Sequence, residues 1–269
     1  MINILTSINK SYIKHFLTML NSLSQNNPKS DFVVYCMHSD LNDEDLKKII
    51  SSVKNNISVE FVYMDKSLFC GAPKVKRYPY EIYYRIFAPI MLPQNIDRVL
   101  YLDCDLIVNK NITDLYNQDF DGNLFVGCTQ IGKLLTIFNR IRLTTKPNAI
   151  YLNSGVLLIN LKELRKVIDT EKIFKFIKRN GWRMALYDQD VIFKFFGDRV
   201  KCVDKFIYNL SDRHINRYNR FHKNKIDKKW VDDNNVIVHY LGTNKPWKKT
   251  YRGILDEYYK KYQSYKECK

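Results

Sequence analysis

The stretch RVLYLDCDLIV at residues 98–108 decides the fold of this chain, because two aspartates interrupt an otherwise apolar run. An apolar run of this length is typical of a buried strand, so we predict a strand over residues 98–106. Side chains alternate between the two faces of a strand, which puts Asp103 and Asp105 on the same face. Neighbouring buried carboxylates repel each other, and burying either one unpaired is costly, so we expect a cation between them.

Asp103 and Asp105 are therefore the first candidate metal ligands. Carboxylates at i and i+2 near a strand end can share one hard divalent cation, such as Mn²⁺ or Mg²⁺. In the structural alternative, the two aspartates only turn the strand into a loop and cap the next element. The cost of burying unpaired carboxylates favours the metal site.

Further strands and helices surround this stretch in alternation. Strands are predicted at residues 2–6, 32–37, 58–63, 124–128, 155–160, 200–203 and 236–241. Apolar residues at helical spacing mark helices in residues 13–23, 46–53, 79–91, 173–177 and 191–197. This alternation indicates an α/β sandwich with a mainly parallel central sheet. Ligands of such sheets bind beyond the carboxyl ends of strands, which is where the aspartate pair lies.

Two segments depart from the alternating pattern. Residues 129–150, TQIGKLLTIFNRIRLTTKPNAI, fit neither period, and we expect a mobile loop or lid there. Residues 251–269, YRGILDEYYKKYQSYKECK, place aromatic residues at roughly helical spacing with Lys and Arg between them. We therefore divide the chain into a domain over 1–250 and a basic, aromatic, helical C-terminal tail over 251–269. Such a tail either lies on an anionic membrane surface or packs on the domain.

The chain carries a formal net charge of +16, from 44 Lys and Arg against 28 Asp and Glu. This excess favours a polyanionic partner, such as nucleic acid, anionic lipid headgroups or phosphorylated substrates. Origin in a lysine-rich proteome is the simpler alternative. Much of the excess lies in residues 211–230 and 245–269.

Targeting signals and cysteine usage bear on the compartment. The N-terminus MINILTSINK lacks the features of a signal peptide, and no apolar run approaches the roughly 18–20 residues of a membrane span. The six cysteines are scattered, without a CxxC spacing. Scattered cysteines with apolar neighbours favour reduced core thiols, and we expect a cytoplasmic protein.

The stretch HYLGTNKPW at residues 239–247 follows an apolar strand and combines three useful residue types. His239 offers an imidazole ligand, Gly242 permits close backbone approach, and Lys245 is a charge suited to phosphate. A lone histidine in such a place is more often a core residue. The candidate metal pair elsewhere in the chain raises the odds of a functional site.

Two more stretches carry polar residues next to apolar runs. YDQDVIF at 187–193 puts Asp188, Gln189 and Asp190 at a helix mouth, although Asp188 by itself suits an N-cap. YLNSGVLLIN at 151–160 enters a buried strand through Asn153, and a plain turn is the simpler interpretation. The chain has no GxxxxGK[ST], GxGxxG or GxSxG motif, so a bound diphosphate would need a metal and a lysine to neutralise it.

In this order, the stretches ILTSINKSY, YYRIFAP, RVLYLDCDLIV, YLNSGVLLINL, YDQDVI and HYLGTNKPW resemble the motifs of glycosyltransferase family 8. That family comprises retaining sugar-nucleotide enzymes and includes bacterial lipopolysaccharide galactosyl- and glucosyltransferases and glycogenin. The resemblance spans about residues 2–250. It implies a GT-A fold, a nucleotide-sugar donor that is usually UDP-linked, and Mn²⁺ or Mg²⁺ as cofactor.

The resemblance also implies roles for the metal and phosphate ligands. Asp103, Asp105 and His239 would bind the metal ion. Gly242 and Lys245 would hold the diphosphate of the donor.

For the rest of the donor site, the resemblance implies contacts from several segments. Arg85 and Asn153 would touch the donor phosphate or sugar, and Asp188 the sugar hydroxyls. Gln189 and Asp190 would lie near the anomeric carbon.

The N-terminal motif would contribute Ser7, Asn9 and Ser11 to donor binding. The family commonly has an acidic residue where this chain has Asn9, and an asparagine where it has Ser11. These two positions contact uracil and ribose, and the Asn9 amide can still hydrogen-bond a uracil edge.

We therefore predict a retaining, metal-dependent glycosyltransferase that moves galactose or glucose from a UDP-sugar to a glycan or glycolipid acceptor. We expect it in the cytoplasm, with the inner face of the membrane as a site of peripheral attachment. Same-side attack is the favoured route, because the amide of Gln189 is a poor nucleophile and Asp190 lies one residue further into the helix.

The alternative is a basic, metal-dependent nucleic-acid-binding protein or nuclease, since the charge and the many tyrosines suit phosphate contact and base stacking. The basic runs lie far along the chain from the metal pair, and no nucleic-acid module is recognisable, so no nucleic-acid partner is expected. A binding protein without turnover on the same fold is a third alternative. The complete set of motif residues disfavours it.

Overall fold

The computed structural model describes residues 1–65, 67 and 80–263, which form a mixed α/β fold. The strands in this part of the chain are β1 (Ile2–Ser7), β2 (Phe32–His38), β3 (Ile57–Tyr63), β4 (Arg98–Leu102), β5 (Leu106–Val108), β6 (Phe125–Gly127), β7 (Val156–Asn160), β8 (Val200–Cys202) and β9 (Ile237–His239). Two of the six cysteines, at positions 70 and 268, lie outside the described residues, as do residue 79 of the predicted 79–91 helix and the last six residues of the predicted tail.

The helices connect and cover these strands. They are α1 (Ile13–Asn26), α2 (Asp43–Ser52), α3 (Glu81–Tyr84), α4 (Ala88–Met91), α5 (Thr113–Tyr116), α6 (Lys133–Leu143), α7 (Leu161–Val167), α8 (Thr170–Asn180), α9 (Tyr187–Phe196), α10 (Lys205–Tyr208), α11 (Asp212–Phe221), α12 (Lys228–Asn234) and α13 (Asp256–Tyr262). Among the described residues, none of these helices is both long and apolar enough to span a bilayer.

The central sheet has seven strands in the order β3-β2-β1-β4-β7-β6-β8. Strands β3, β2, β1 and β4 run parallel, and so do β6 and β8, whereas β7 runs antiparallel to both of its neighbours. The predicted mainly parallel sheet is therefore confirmed. Its two faces bury alternate residues of β4: Tyr101 belongs to one core cluster, and Leu100 and Leu102 belong to the other.

One predicted strand is wrong at its end. Strand β4 stops at Leu102, and a turn leads into β5, which leaves the large sheet and pairs antiparallel with β9. In that pairing Leu106 lies opposite His239. This turn takes the chain from the seven-stranded sheet to the two-stranded β5–β9 sheet within a few residues. It carries both aspartates, and the β5–β9 register places His239 beside them.

The prediction of a mobile loop over 129–150 is also wrong, since α6 occupies its centre. Leu134, Phe138 and Ile141 recur on the outer side of α6 and are exposed, while Leu143 is buried. The apolar side of this helix faces solvent instead of the core. Leu134, Phe138 and Ile141 lie at i, i+4 and i+7, a helical spacing that the sequence analysis overlooked.

The described part of the predicted tail contains α13, which packs on α1. Leu255, Tyr258, Tyr259 and Tyr262 are buried there in one core cluster. The hydroxyl of Tyr259 also forms a hydrogen bond with Nδ1 of His15 in α1, at 2.6 Å. The aromatic stripe seen in the sequence therefore contacts protein.

Candidate active site

The turn between β4 and β5 brings three potential metal ligands together. Nε2 of His239 lies 3.2 Å from Oδ1 of Asp105 and 3.7 Å from Oδ2 of Asp103. One ligand atom from each of the three residues falls within 4.8 Å of the others. Gly155 on the neighbouring segment leaves room for them, since a Cβ there would lie 2.6 Å from the Asp103 carboxylate.

A chain of hydrogen bonds fixes which nitrogen of His239 carries a proton. The backbone N–H of Gly155 can only donate, so the Asn153 side-chain atom that it faces at 3.2 Å is oxygen. That oxygen also accepts from Nδ2 of Asn209 at 2.9 Å, which leaves Oδ1 of Asn209 facing Nδ1 of His239 at 2.9 Å. Nδ1 must therefore donate. Nε2 faces the two carboxylates, and in the neutral ring protonated at Nδ1 it is the nitrogen available to a cation.

This donor set fits a divalent cation. Three electron-rich atoms, from Asp103, Asp105 and His239, face one another across a short space. Two carboxylates suit Mn²⁺ or Mg²⁺, and a histidine whose other nitrogen is held by a hydrogen bond is the usual form of an imidazole ligand. Gln130 reinforces the arrangement, because its Nε2 donates to the same Asn209 oxygen at 2.9 Å.

Lys245 lies at the edge of this cluster and is buried. Its ammonium group donates to Oδ2 of Asp105 and to the carbonyl of Tyr240. Burial by itself would raise the pKa of Asp105, but the adjacent ammonium group of Lys245 holds that pKa well below its usual value. Asp105 is therefore a carboxylate at neutral pH, ready to bind a cation. Gly242, in the same loop, has a φ of 73°, a left-handed conformation that favours glycine.

Arg85 connects the turn to α9 from a buried position. Its Nη2 lies 3.1 Å from Oδ1 of Asp103, and its Nε lies 3.3 Å from Oδ2 of Asp188. Nη1 donates to the carbonyl of Ser154 at 2.7 Å, and the guanidinium lies over the ring of Tyr101. One cation thus holds the metal-side carboxylate and the α9 carboxylate at a fixed separation.

The N-terminal donor candidates lie at the carboxyl end of β1. The hydroxyl of Ser7 is 3.0 Å from that of Tyr101, which in turn donates to Asp103 at 2.8 Å. Asn9 and Ser11 lie on the turn beyond and bond each other, with Ser11 donating to Asn9 Oδ1 at 2.6 Å. Of these predicted residues, only Ser7 is connected to the metal-ligand cluster by hydrogen bonds, through Tyr101.

The three polar residues at the start of α9 point in different directions. Asp188 is buried against Arg85, and burial raises the pKa of its carboxyl group although Arg85 opposes the rise. Gln189 is half-buried, and its side chain makes no hydrogen bond within the described residues. Residues two apart on a helix are separated by about 200°, so Asp190 points away from Asp188.

Asp190 is 0% exposed and is surrounded by donors. The guanidinium of Arg142 in α6 donates to both of its oxygens, from Nη2 to Oδ1 at 2.7 Å and from Nη1 to Oδ2 at 2.9 Å. The hydroxyl of Tyr151 and the backbone N–H of Ala185 each donate at 2.7 Å. The structure therefore brings Asp103, Asp105, His239, Lys245, Arg85, Asn153 and Asp188 together and holds Asp190 in a separate buried network.

The sequence analysis missed several residues of the site. Tyr101 could have been found, because strand alternation puts it on the same side as Asp103. Tyr12 lies close enough that burial and the nearby Asp105 raise its pKa to about 12. Asn209 and Gln130 left no local signal, since they lie in unremarkable stretches far along the chain from His239 or Asp103.

Known proteins resemble the chain over nearly its whole length. The family model described as glycosyl transferase family 8 matches residues 3–251. Lipopolysaccharide 1,3-galactosyltransferase of Salmonella typhimurium is 26% identical over 257 residues, covering 91% of this chain and 72% of that protein. Lipopolysaccharide 1,2-glucosyltransferase of Escherichia coli is 23% identical over 256 residues, covering 91% and 73%. General stress protein A of Bacillus subtilis is 24% identical and covers 98% and 93%.

Solved structures resemble the fold. The galactosyltransferase LgtC, in complex with donor and acceptor sugar analogues, superposes with a TM-score of 0.82 and 19% identity, covering 97% of this chain and 95% of that chain. The glycosyltransferase GlyE of Streptococcus pneumoniae gives a TM-score of 0.74 and 21% identity, covering 99% and 62%. The fold is the GT-A fold of glycosyltransferases, as the motifs implied.

Proposed function

Because the chain belongs to glycosyltransferase family 8, and is thus a glycosyltransferase, we propose that it transfers galactose or glucose from a UDP-sugar to a carbohydrate acceptor. The reaction depends on a divalent metal ion and retains the α configuration of the donor. The observation that carries this proposal is the convergence of Asp103, Asp105 and Nε2 of His239. Names of the relatives, which are lipopolysaccharide glucosyl- and galactosyltransferases, support a hexose donor.

Asp103, Asp105 and His239 would hold the metal, with Mn²⁺ preferred because the set includes an imidazole. When bound, the cation neutralises the donor diphosphate and polarises the leaving group. Lys245 adds a second positive charge at the same edge. The positive φ of Gly242 lets the backbone of that loop approach the diphosphate closely.

Asp188 and Gln189 lie where the sugar would sit. Asp188, held by Arg85, orients the sugar hydroxyls as an acceptor of hydrogen bonds. Gln189, with a half-buried amide that has no protein partner in the described residues, faces the anomeric carbon and stabilises positive charge there through its dipole.

Retention follows from attack on the leaving-group side. The bond from the anomeric carbon to the phosphate oxygen breaks, the electron pair leaves with the nucleoside diphosphate, and the acceptor oxygen bonds to the same face. The acceptor proton passes to the departing phosphate oxygen. A covalent route through Asp190 is disfavoured, because Arg142, Tyr151 and Ala185 already donate to both of its oxygens.

The direct test incubates the protein with labelled UDP-galactose or UDP-glucose in Mn²⁺ and follows hydrolysis and transfer. We expect turnover of at least one donor, loss of turnover in chelator, and an α-linked product in early NMR spectra. Nuclease activity without sugar release would favour the nucleic-acid alternative. A β-linked product from the α-linked donor would refute retention.

We also infer that the enzyme works in the cytoplasm, at an anionic membrane surface where a glycolipid acceptor would lie. Helix α6 supports this inference better than the tail does. Leu134, Phe138 and Ile141 on α6 are 84%, 61% and 75% exposed, an unusual amount of apolar surface for one helix. The sequence from 122 to 162, which includes α6, contains Lys and Arg but no Asp or Glu. Exposed apolar residues beside cations suit anionic headgroups.

Vesicle co-sedimentation tests the membrane surface. We expect binding to vesicles that contain phosphatidylglycerol but not to phosphatidylcholine alone. The Phe138→Ser/Ile141→Ser variant should bind on the order of tenfold more weakly. A matched Ile50→Ser/Ile90→Ser variant removes exposed apolar residues elsewhere and should bind normally.

Lys260 and Lys261 on α13 provide the comparison for the tail. If Lys260→Gln/Lys261→Gln abolished vesicle binding while the α6 variant bound normally, the attachment would belong to the tail. A concentration-dependent dimer that dissociates in the α6 variant, without vesicle binding by either protein, would assign the apolar side of α6 to a second copy.

A further inference from the structure

A cleft of about 460 Å³ lies beside α11, outside the site described above. Basic and amide side chains provide most of its lining: Arg213, Arg217, Arg220, Arg252, Asn216 and Asn244. Its volume is in the range of small-ligand sites. The glycosyl-transfer chemistry proposed above uses none of these side chains.

Three of the arginines form one stripe of α11. Arg213, Arg217 and Arg220 are spaced i, i+4 and i+7, so their side chains emerge on the same side of the helix. Arg252 approaches from the opposite wall of the cleft. Within the part of the chain that the structure describes, none of these four guanidinium groups forms an ion pair with a carboxylate. Like charges at such spacing repel, so an anion in the cleft would relieve the repulsion.

The single carboxylate in the lining is already occupied. Oδ1 of Asp212 accepts from the backbone N–H of Ile254 at 2.8 Å, and Oδ2 accepts from the hydroxyl of Tyr251. Burial raises the pKa of Asp212 above its usual value, although both donors oppose the rise. Asp212 therefore serves to hold the segment after the β9 loop against α11. The electrostatic character of the cleft is set by the arginines.

The cleft adjoins the candidate donor site. Asn244 and Arg252 bond each other reciprocally: Nδ2 of Asn244 donates to the Arg252 carbonyl at 2.7 Å, and the Arg252 N–H donates to Oδ1 of Asn244 at 3.0 Å. The next residue after Asn244 is Lys245, which bonds Asp105. A ligand in the cleft would therefore lie next to the loop that carries Gly242 and Lys245.

We propose that this cleft binds a phosphate group carried by the saccharide acceptor. Guanidinium groups present paired donors that match phosphate oxygens, and several of them converge here. The amide of Asn216 suits sugar hydroxyls, and Phe221, which is 74% exposed, offers a ring to cover the C–H face of a sugar. The assignment to an acceptor rests on the proposed glycosyl transfer, whereas the binding of a phosphorylated saccharide does not.

Ligand-observed NMR titrations at low ionic strength test the proposal, with glucose 6-phosphate, glucose and inorganic phosphate as probes. We expect glucose 6-phosphate to bind on the order of tenfold more tightly than either glucose or inorganic phosphate. The Arg217→Gln/Arg220→Gln variant should lose this preference. A matched Lys178→Gln/Arg179→Gln variant removes two exposed cations from α8 and should keep it.

Other outcomes would overturn the proposal. It fails if glucose 6-phosphate binds no more tightly than glucose, or if the double arginine variant binds it normally. Equal affinity for inorganic phosphate would remove the saccharide from the site. If only a single-stranded oligonucleotide bound, and the arginine variant lost that binding, the cleft would be a nucleic-acid contact.

UDP-sugar hydrolysis separates this inference from the proposed function. We expect the arginine variant to hydrolyse the donor at the wild-type rate, since its two side chains lie outside the donor site. If the wild-type protein bound glucose 6-phosphate through α11 yet hydrolysed no UDP-sugar, glycosyl transfer would fail and the saccharide-phosphate site would stand.

Discussion

Two groups of aspartates in this molecule are held in different ways. In the turn after β4, Asp103 and Asp105 are partly buried, and each directs an oxygen atom toward Nε2 of His239. In the first turn of α9, Asp190 receives donors at both oxygens, chiefly from Arg142. In the first arrangement one oxygen of each carboxylate is paired, with Arg85 or Lys245, and the other oxygen faces His239; in the second, protein donors occupy both oxygens.

This difference distinguishes carboxylates that can bind a ligand from a carboxylate that only stabilises the fold. A carboxylate whose oxygens are all occupied by protein donors stabilises the fold but has nothing left for a ligand. Asp103 and Asp105 each keep one oxygen that faces Nε2 of His239, where a cation can bind. The two sites should therefore respond in opposite ways to the same Asp→Asn substitution, which changes charge and hardly changes shape.

Asp190→Asn should have the largest effect on stability. Whichever oxygen the asparagine NH2 group replaces, it would face a nitrogen of the Arg142 guanidinium, donor against donor, and Arg142 would lose its charge partner. Breaking a buried pair in this way costs about 3–5 kcal/mol. We expect a loss of that order in the free energy of urea unfolding.

The matched control is Asp198→Asn, which breaks the exposed pair with Lys146 and should cost less than about 1 kcal/mol. Folded Asp190→Asn protein should keep most of its turnover. Loss of turnover with intact donor binding and normal stability would instead make Asp190 a participant in the reaction.

Asp103→Asn should do the reverse. Its remaining oxygen can still accept from Tyr101, and Arg85 keeps its contact with Asp188, so the free energy of unfolding should change by less than about 1 kcal/mol. Removing one charged ligand should weaken Mn²⁺ binding on the order of a hundredfold, with turnover falling in parallel. Calorimetric titration with Mn²⁺ measures the first effect. Unchanged Mn²⁺ affinity would refute the metal site.

Asn209→Leu should weaken Mn²⁺ binding about 10–100-fold, although Asn209 is not itself a ligand. Without its oxygen, Nδ1 of His239 has no fixed acceptor, and the proton is free to move to Nε2. Long-range ¹⁵N–¹H NMR of metal-free protein reads this tautomer directly, independent of activity. Gln130→Leu removes only the second bond to the same oxygen and should change the affinity less than about threefold. A wild-type tautomer protonated at Nε2 would contradict the hydrogen-bond assignment.

The smallest effect is expected from removing one tyrosine hydroxyl at each site. Tyr151→Phe deletes a donor to Asp190 and should cost about 1.5–2 kcal/mol of unfolding free energy without changing Mn²⁺ binding. Tyr101→Phe deletes a donor to Asp103, and we expect a larger change in Mn²⁺ affinity than in stability. If both variants changed the same quantity, the distinction between the two sites would not hold.

Much of the fold was predictable because buried strands and helices place apolar residues in the sequence in recognisable runs and at regular spacings. The strand predictions agree with the observed strands apart from the break after Leu102, since buried strands must be apolar along their length. Helix α6 was missed because its helical spacing marks a side that faces solvent. Only Leu143 of this helix is buried. The helical spacing in the tail was visible, but its partner α1 was not.

A site residue was predictable only where its neighbours in the sequence made it unusual. Acid in an apolar run marked Asp103 and Asp105, and the motif order marked His239. Asn209 lies in no such stretch, and its role depends on meeting His239 in space. The sequence also did not show that protein donors occupy both oxygens of Asp190, because its partner Arg142 lies in the segment expected to be a loop.

The sequence by itself determined the alternation of strands and helices, the candidate metal ligands and the family of the chain. These are properties of side chains and their spacing, which the order of residues states directly. Only the tertiary structure decided which carboxylates keep oxygens available, which nitrogen of His239 carries the proton, and where four arginines converge. Those depend on the register of β5 against β9 and on the packing of α6 and α11, since contacts between distant segments are fixed by the folded chain as a whole.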